Sequence, residues 1–318
     1  MTGTIDQHVA VHDGNPLTPG AGAGAPAGAR SRFAGLRRLW TGKFLVGFAL
    51  VTVIVLFAIV APFLVQSPRA VDSIGLTPPS GEHLLGTNAT GQDLLAQLAH
   101  AARGSLLIGV LVGAMSLFLS AFFGILGAYV GGLLDEIFAL FTNVMLIIPG
   151  LPLMIVIATY VQKRNVLLVA FVLAITSWAA GARVLSAQTL SLRNRDYVLA
   201  ARVSGEKTWR IITVEILPNL LPVMSSGFVF SIIFAILGEA GLAFIGIGAS
   251  DSLTWGTMLA GAQNGQALLF RAWWWFVPPG LCIALLGCGL ALINFSIDEV
   301  INPRLRVHRL PKTSKVAP

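Results

Sequence analysis

Six uncharged apolar runs, each long enough to cross a lipid bilayer as a helix, constrain this chain more than any other feature of its sequence. A helical span of a bilayer takes about 20 residues. Charged residues make up 11% of the chain and hydrophobic residues 55%, whereas about 25% of the residues in an ordinary soluble domain are charged. We therefore expect an all-α polytopic membrane protein with six transmembrane helices, over residues 44–65, 104–134, 137–162, 165–182, 216–238 and 272–297.

The distribution of Lys and Arg orients these six runs. With the N-terminus in the cytoplasm, sixteen of these residues fall in segments on the cytoplasmic side and five in segments on the outer side. Cytoplasmic loops of membrane proteins are enriched in Lys and Arg, so we expect both termini and the loop that contains Gly205 to be cytoplasmic. The pair Lys163-Arg164 is the main exception. The same bias accounts for the net charge of +7 without a nucleic-acid partner.

The segments before and after the six runs differ from them in composition. Residues 1–43 are rich in Gly, Ala and Pro and then basic, which is typical of a disordered tail. We expect a cytoplasmic N-terminal tail over 1–43, a six-helix transmembrane domain over 44–297 and a cytoplasmic C-terminal tail over 298–318. Cys282 and Cys288 lie within one apolar run, which argues against a disulfide or a metal site.

A long polar and basic segment, residues 193–218, separates the fourth run from the fifth, and we call it the Gly205 loop. It contains the pattern Ala-Ala-x3-Gly-x11-Leu-Pro, which begins at Ala200. Glycine readily makes a sharp bend between helices, and proline favours the first turn of a helix. The pattern predicts one short helix before Gly205, another after it, and a new element that starts at Pro218. An ordinary connecting loop is the alternative, but paired amphipathic helices also suit docking into a groove of a partner protein.

The Gly205 loop resembles the cytoplasmic loop of ABC importer permeases, whose pattern is Glu-Ala-Ala-x3-Gly-x9-Ile-x-Leu-Pro. Leu199 stands where that pattern has Glu, and Glu215 stands where it has Ile. The resemblance implies a loop that couples the membrane domain to separate ATPase subunits. The coupling residues that it implies are Leu199, Ala200, Ala201, Gly205, Glu206, Leu217 and Pro218.

A second resemblance lies in the segment between the first two runs. Physical reasoning alone predicts a connector helix there, capped by Thr90 or Gly91 and with Asp93 in its first turn. The segment is also similar to the His-x-Leu-Gly-Thr-Asp-x-x-Gly-Arg-Asp signature of the oligopeptide/dipeptide branch of these permeases. Asn88 and Gln92 replace the Asp and Arg of that signature. The positions that match it are His83, Leu85, Gly86, Thr87, Gly91 and Asp93.

The fifth run is followed by Glu239 and then by a Trp-Gly pair that begins at Trp255. A carboxylate at the end of a span can snorkel to the interface. Alternatively, Glu239 lines a pathway or pins neighbouring helices, and we assign the same two roles to Trp255. This block is similar to the Glu-x-x-Leu-x-Phe-Leu-Gly-Leu-Gly and Ser-Trp-Gly runs of the same branch. The Trp cluster over 272–280 is typical of an aromatic belt at the membrane interface, with stacking against a sugar as the alternative.

The sequence lacks the motifs of a catalytic membrane enzyme. It contains no Gly-x4-Gly-Lys-Ser/Thr loop, no His-Glu-x-x-His and no Gly-x-Ser-x-Gly, so nucleotide would be bound by another polypeptide. An ion-coupled secondary transporter is the main alternative outside the family, and a mid-span break over 149–152 is the one feature that favours it. We expect a protein that is not itself an enzyme, binds no cofactor and holds no metal ion.

The resemblance covers about residues 40–306. It implies a permease subunit of an ATP-driven, binding-protein-dependent ABC importer in a bacterial plasma membrane. The implied partners are a homologous second permease, two ATPase subunits that use ATP, an extracytoplasmic substrate-binding protein and membrane lipid. Small peptides are the expected cargo and oligosaccharides the second choice. Relatives of this type that carry nickel or glutathione leave those cargoes open as well.

Overall fold

Helices account for nearly all of the regular structure in the described part of this chain. The computed structural model of the protein describes residues 42–71, 73–160, 165–248 and 252–301. Nearly all of the predicted N-terminal tail, and the C-terminal tail beyond Ile301, lie outside these described residues. Within them the backbone forms nine helices and no strand. The helices are α1 (Gly42–Leu64), α2 (Leu94–Val130), α3 (Gly132–Ile147), α4 (Gly150–Tyr160), α5 (Val166–Arg193), α6 (Asp196–Val203), α7 (Thr208–Phe244), α8 (Trp255–Asn264) and α9 (Trp273–Ile301).

Five of these helices, α1, α2, α5, α7 and α9, are long and apolar enough to cross a membrane. The third predicted run, 137–162, is instead divided between α3 and α4, which have 16 and 11 residues and are each shorter than a bilayer span. The division falls at Ile148, whose backbone is extended with φ −68° and ψ 121°. Pro149 follows it, and proline disfavours helical backbone in the residue before it. The all-α polytopic fold is thus confirmed, whereas the count of six single spans is not.

Glycines bring the long helices close together. A Cβ added at Gly47 on α1 would lie 2.7 Å from the Gly289 carbonyl oxygen on α9. A Cβ at Gly124 on α2 would lie 2.5 Å from the Ala182 carbonyl oxygen on α5. Helices in membranes associate largely through such close packing, because lipid gives no hydrophobic drive between them. The central element is α2, since it packs against α1, α5, α7 and α8.

Arg103 replaces the hydrogen bond that a proline in α1 removes. Pro62 lies inside α1 and has no N–H to donate to the Ala58 carbonyl, one turn earlier. Arg103 Nε of α2 donates to that Ala58 oxygen at 2.8 Å, and its Nη2 donates to the Ile59 oxygen at 2.8 Å. The guanidinium also lies 4.7 Å from the centroid of the Phe63 ring. One side chain therefore ties the end of α1 to α2.

We predict that Arg103→Met lowers the free energy of unfolding by about 1–3 kcal/mol, because two carbonyl groups of α1 lose their charged donor. Thermal denaturation of the purified protein in detergent micelles would measure the loss. Arg69→Met is the matched control, since it removes the same charge from an exposed side chain of the neighbouring segment. Equal losses in the two variants would contradict a specific role for the Arg103 hydrogen bonds.

Candidate functional site

The Gly205 loop has the predicted helix–glycine–helix shape. Helix α6 ends at Val203, and Gly205 follows with φ +77°, a left-handed conformation that other residues rarely adopt. The N–H of Glu206 donates to the Ala201 oxygen and that of Gly205 to the Arg202 oxygen, both at 3.1 Å. These two bonds form the Schellman motif that ends many helices. The backbone of the bend therefore requires the glycine.

The two elements predicted after Gly205 form one continuous helix. A regular α-helical segment does begin at Leu217, beside Pro218 as predicted, but it is joined to the helix that starts at Thr208. A π-helical turn over Ile211–Ile216 makes the connection, and the Leu217 N–H donates to the Ile212 oxygen. Proline in a regular helix clashes with the carbonyl one turn earlier, and a π turn is a local way to widen the helix. The second half of the loop is thus part of α7.

A buried apolar cluster fixes the loop to the bundle. Val198 of α6 and Ile211 and Ile216 of α7 are buried, and they pack with Tyr129 of α2 and Leu185 of α5. Full burial of one such aliphatic side chain contributes about 1.5–3 kcal/mol. The loop is therefore firmly attached to the ends of two long helices.

Two arginines add polar contacts between the loop and α2. Helix α2 ends at Val130, and Gly131 follows with φ +74°. The last carbonyls of a helix need partners from outside it. Arg193 Nη1 donates to the Ala128 oxygen at 2.8 Å. The Arg202 guanidinium lies 5.5 Å from the centroid of the Tyr129 ring. Both contacts hold the last turn of α2 against the loop.

The outer surface of the loop presents apolar side chains on both sides of the bend. Val203 is 88% exposed and Trp209 is 75% exposed. These are the two most exposed large apolar side chains described in the loop, and exposed apolar surface marks candidate interaction sites. Of the predicted coupling residues, Ala201, Glu206 and Leu217 are half-buried, and Leu199, Ala200, Gly205 and Pro218 are exposed.

A cleft of about 1270 Å³ opens along α7. Its lining extends from Val223 to Gly241, a distance of about 27 Å at 1.5 Å per helical residue, which approaches the thickness of the hydrocarbon core of a bilayer. Helices α2 and α5 and the turn at Ile148 form the other walls. Most of the lining is apolar. Its polar members are six hydroxyl residues and one carboxylate: Ser116, Ser120, Thr176, Ser177, Ser226, Ser231 and Asp298.

Glu239 lies inside the bundle and is not among the described lining residues of the cleft. It is 1% exposed, and the Thr254 hydroxyl donates to its Oε1 at 2.6 Å. Gly256 makes room for it, since a Cβ there would lie 2.8 Å from Glu239 Oε2. A snorkelling side chain keeps its charge in water, and this burial does not fit that interpretation. The geometry favours helix packing, which stays a prediction for this residue.

Trp255 is fully buried at the start of α8. Thr254 is the N-cap of this helix. The backbone N–H of Trp255 donates to the Ser105 hydroxyl of α2 at 2.9 Å. Gly104 permits the contact, since a Cβ there would lie 2.3 Å from the Leu253 oxygen. Together with the carboxylate contact to Thr254, this bond joins α7, α8 and α2.

Asp93, rather than Thr90 or Gly91, caps α2. Its Oδ1 accepts a hydrogen bond from the Ala96 N–H at 2.8 Å, and His83 Nδ1 lies 2.8 Å from its Oδ2. Gly91 has φ +80°, whereas an N-cap residue usually has an extended backbone. The predicted cap is therefore wrong, because the turn that precedes the helix occupies those two positions.

The two positions that depart from the family signature contact each other. Asn88 Nδ2 donates to Gln92 Oε1 at 2.9 Å. Asn88 Oδ1 accepts from the Gln92 N–H at 2.9 Å and from the Thr90 N–H at 3.0 Å. An uncharged amide pair thus stands where the signature has an acid and a base. The two departures are compatible with each other, since the Asn88 amide donates to the Gln92 amide oxygen.

Sequence reasoning missed a polar cluster at one end of the cleft. The Ser226 hydroxyl of α7 lies 2.7 Å from Asn294 Oδ1 and 3.1 Å from Asp298 Oδ1, both on α9, and donates to them. Asn294 is completely buried. Polar residues inside membrane spans are costly and usually have a role. That signal was present in the sequence, but it does not show which spans the residues join.

A bundle of membrane-spanning helices, with a cleft and an attached helix–glycine–helix loop, is the architecture of a membrane transport subunit. Residues 120–307 match the family described as binding-protein-dependent transport system inner membrane component. The chain belongs to this family of ABC importer permeases and is a multi-pass inner membrane protein.

Curated relatives place the chain in the oligopeptide/dipeptide branch, as predicted. A peptide transport system permease protein of Brucella suis is 34% identical over 277 residues, which cover 85% of this chain and 91% of the relative. The oligopeptide transport system permease protein OppC of Bacillus subtilis is 30% identical, over 82% of this chain and 86% of its own. The dipeptide transport system permease protein DppC of the same organism is 29% identical, over 85% of each chain.

We predict that Glu239→Ala lowers the free energy of unfolding by about 1–3 kcal/mol, because the buried Thr254 hydroxyl loses its acceptor. Glu239→Gln keeps an oxygen acceptor at this position and should remain close to the parent. Thermal denaturation in detergent micelles compares the two. Parent-like stability of the alanine variant would contradict the packing role, and equal losses in both variants would show that the charge matters more than the hydrogen bond.

Proposed function

We propose that this chain forms one half of the translocation path of an ATP-driven importer, which takes small peptides from a separate binding protein into the cytoplasm. The observation that carries the proposal is the connection between the Gly205 loop and the cleft. Helices α2, α5 and α7 line the cleft, and the same three helices hold the loop through its buried cluster. A displacement of the loop would therefore reach the walls of the cleft.

One of the two ATPase subunits would dock on the Gly205 loop. The exposed Val203 and Trp209 side chains suit a partner that receives a helix in an apolar groove. The sequence has no nucleotide-binding loop, so ATP hydrolysis belongs to these partners. The docked loop must differ in binding free energy between the nucleotide states, since equal affinity for both shifts no equilibrium. That difference would rock the attached helices as rigid bodies.

A homologous second permease would complete the path. Phe230, Phe234 and Leu237 line the cleft and are also exposed. A second subunit that faces these side chains would cover them and close the cleft on its open side. Membrane lipid would then contact the remaining outer faces of the bundle.

The proposed orientation puts the Gly205 loop and both termini in the cytoplasm. The segment over 66–93 and helix α8 then lie on the outer side, where an extracytoplasmic binding protein delivers the cargo. The positive charge of the Gly205 loop supports this orientation.

Small peptides are the proposed cargo because the relatives are named for peptide, oligopeptide and dipeptide transport. The cleft of about 1270 Å³ exceeds the ~300–1,000 Å³ of pockets for drug-sized molecules, so it has room for a short peptide. Oligosaccharides, nickel and glutathione are the alternatives within the family. A docking surface for ATPases favours ATP-driven import over ion-coupled secondary transport.

We predict the orientation to be measurable by labelling with a thiol reagent that does not cross membranes. Ser80→Cys and Ser191→Cys both place a thiol at an exposed position, in a background without Cys282 and Cys288. In intact cells the first variant should react, and the second should react only after permeabilisation. The opposite pattern would overturn the proposed orientation.

We predict that the double variant Val203→Ser/Trp209→Ser loses its ATPase subunits. Removing two large apolar groups from a docking surface, at about 1.5–3 kcal/mol for each one fully buried, should weaken the complex at least tenfold. Co-purification of the ATPases from detergent extracts would measure this loss, and peptide uptake by cells should fall with it.

Leu84→Ser is the control for this experiment. Leu84 is also a well-exposed apolar residue, but it precedes the first turn of α2 and lies far along that helix from the Gly205 loop. It should leave ATPase association unchanged. If the double variant retains its ATPases as well as this control does, the loop is only a connector.

A further inference from the structure

Asp298 is the one charged residue in the described lining of the cleft. It lies on α9, close to the end of that helix, and faces α7 across the end of the cleft nearer to the Gly205 loop. The remaining polar lining consists of hydroxyl groups and backbone. A single carboxylate thus sets the sign of the charge in this space.

A hydroxyl from α7 holds the carboxylate in place. Ser226 donates to Asp298 Oδ1 at 3.1 Å and to Asn294 Oδ1 at 2.7 Å. Asn294 is completely buried, and its Nδ2 has no partner among the described residues. These contacts fix Asp298 from one side only. A carboxylate has about four acceptor sites, and the described residues give this one a single donor.

The adjacent carboxylate shows a different arrangement. Glu299 forms an ion pair with Lys43 of α1 at 2.6 Å and does not belong to the described lining of the cleft. Asp298 has no Lys or Arg partner among the described residues. A carboxylate that no cation neutralises leaves a negative potential in the space around it. A cation in the cleft would therefore be attracted to Asp298, and an anion repelled.

We propose that Asp298 is a cation-binding position for the cargo. A positively charged group on the cargo, such as the protonated amino terminus of a peptide, pairs with the Asp298 carboxylate on its way through the cleft. The inference rests on the proposed function and names the chemistry of its cargo. An uncharged oligosaccharide has no group to make this pair, so the site favours peptides over sugars.

The test measures which charge the cleft admits, independently of the identity of the cargo. Ser231 lines the cleft, about 7.5 Å along α7 from Ser226. The variant Ser231→Cys is made in a background in which Cys282 and Cys288 are replaced by Ala. The full chain is co-expressed in cells with its second permease and ATPases. Inside-out membrane vesicles are then prepared from these cells. Two methanethiosulfonates of similar size, one with a trimethylammonium group and one with a sulfonate group, then react with the introduced thiol.

We expect the cationic reagent to react with the introduced thiol faster than the anionic reagent does. The ratio of these two reaction rates should be well above the ratio that the same reagents give with a small thiol in solution. Asp298→Asn should lower this ratio about tenfold, because the attraction and the repulsion disappear together. Asp298→Glu keeps the charge and should keep most of the ratio. Glu299→Gln is the matched control, since it removes a neighbouring carboxylate that lies outside the described lining of the cleft and pairs with an exposed lysine, and it should leave the ratio unchanged.

An unchanged ratio in Asp298→Asn, with both reagents still reacting, would overturn this inference and leave the proposed path intact. Failure of both reagents to reach the thiol in the parent would overturn the inference and the proposed path together.

Discussion

Inside a membrane, each backbone N–H and C=O group must find its partner within the protein, because hydrocarbon offers none. The irregular points of the long helices show how this chain meets the constraint. Arg103 supplies the donor that Pro62 lacks, and Arg193 supplies one at the end of α2. Before Pro218, a π turn moves the hydrogen bonds by one residue. Each solution also ties a helix to a neighbour or extends it into the Gly205 loop.

The apolar runs predicted most of the spans. A span is recognised by the hydropathy of about 20 residues taken together, so a few atypical residues do not change the prediction. The prediction from the third run was wrong, because Pro149 disfavours helical backbone at Ile148 and the residue is extended there. The apolar composition of the run does not reveal this break. The fourth run marked only the first part of α5, which continues to Arg193. A helix can extend beyond the membrane into polar sequence, so hydropathy does not locate its end.

The candidate site was predictable where its geometry is local. The bend at Gly205 depends on bonds between residues that are close in sequence, and a short pattern encodes it. The contact between Glu239 and Thr254 spans 15 residues, and that between Ser226 and Asp298 spans 72. No periodicity encodes such pairs, because they depend on how helices pack. The position of Glu239 at the end of an apolar run is the same whether it snorkels or is buried, and the packing of α8 decides the outcome.

Helices α2 and α7 are joined at both ends of the bundle. At one end the buried cluster around Val198 and Tyr129 connects them through the Gly205 loop. At the other end, the Thr254 hydroxyl donates to the Glu239 carboxylate of α7, and the backbone N–H of Trp255 donates to the Ser105 hydroxyl of α2. A pair of helices held at two distant points resists bending more than it resists moving as a unit. A movement that changes the shape of the cleft is therefore easier as motion of this pair against the divided α3–α4 segment that borders the cleft than as bending of either helix.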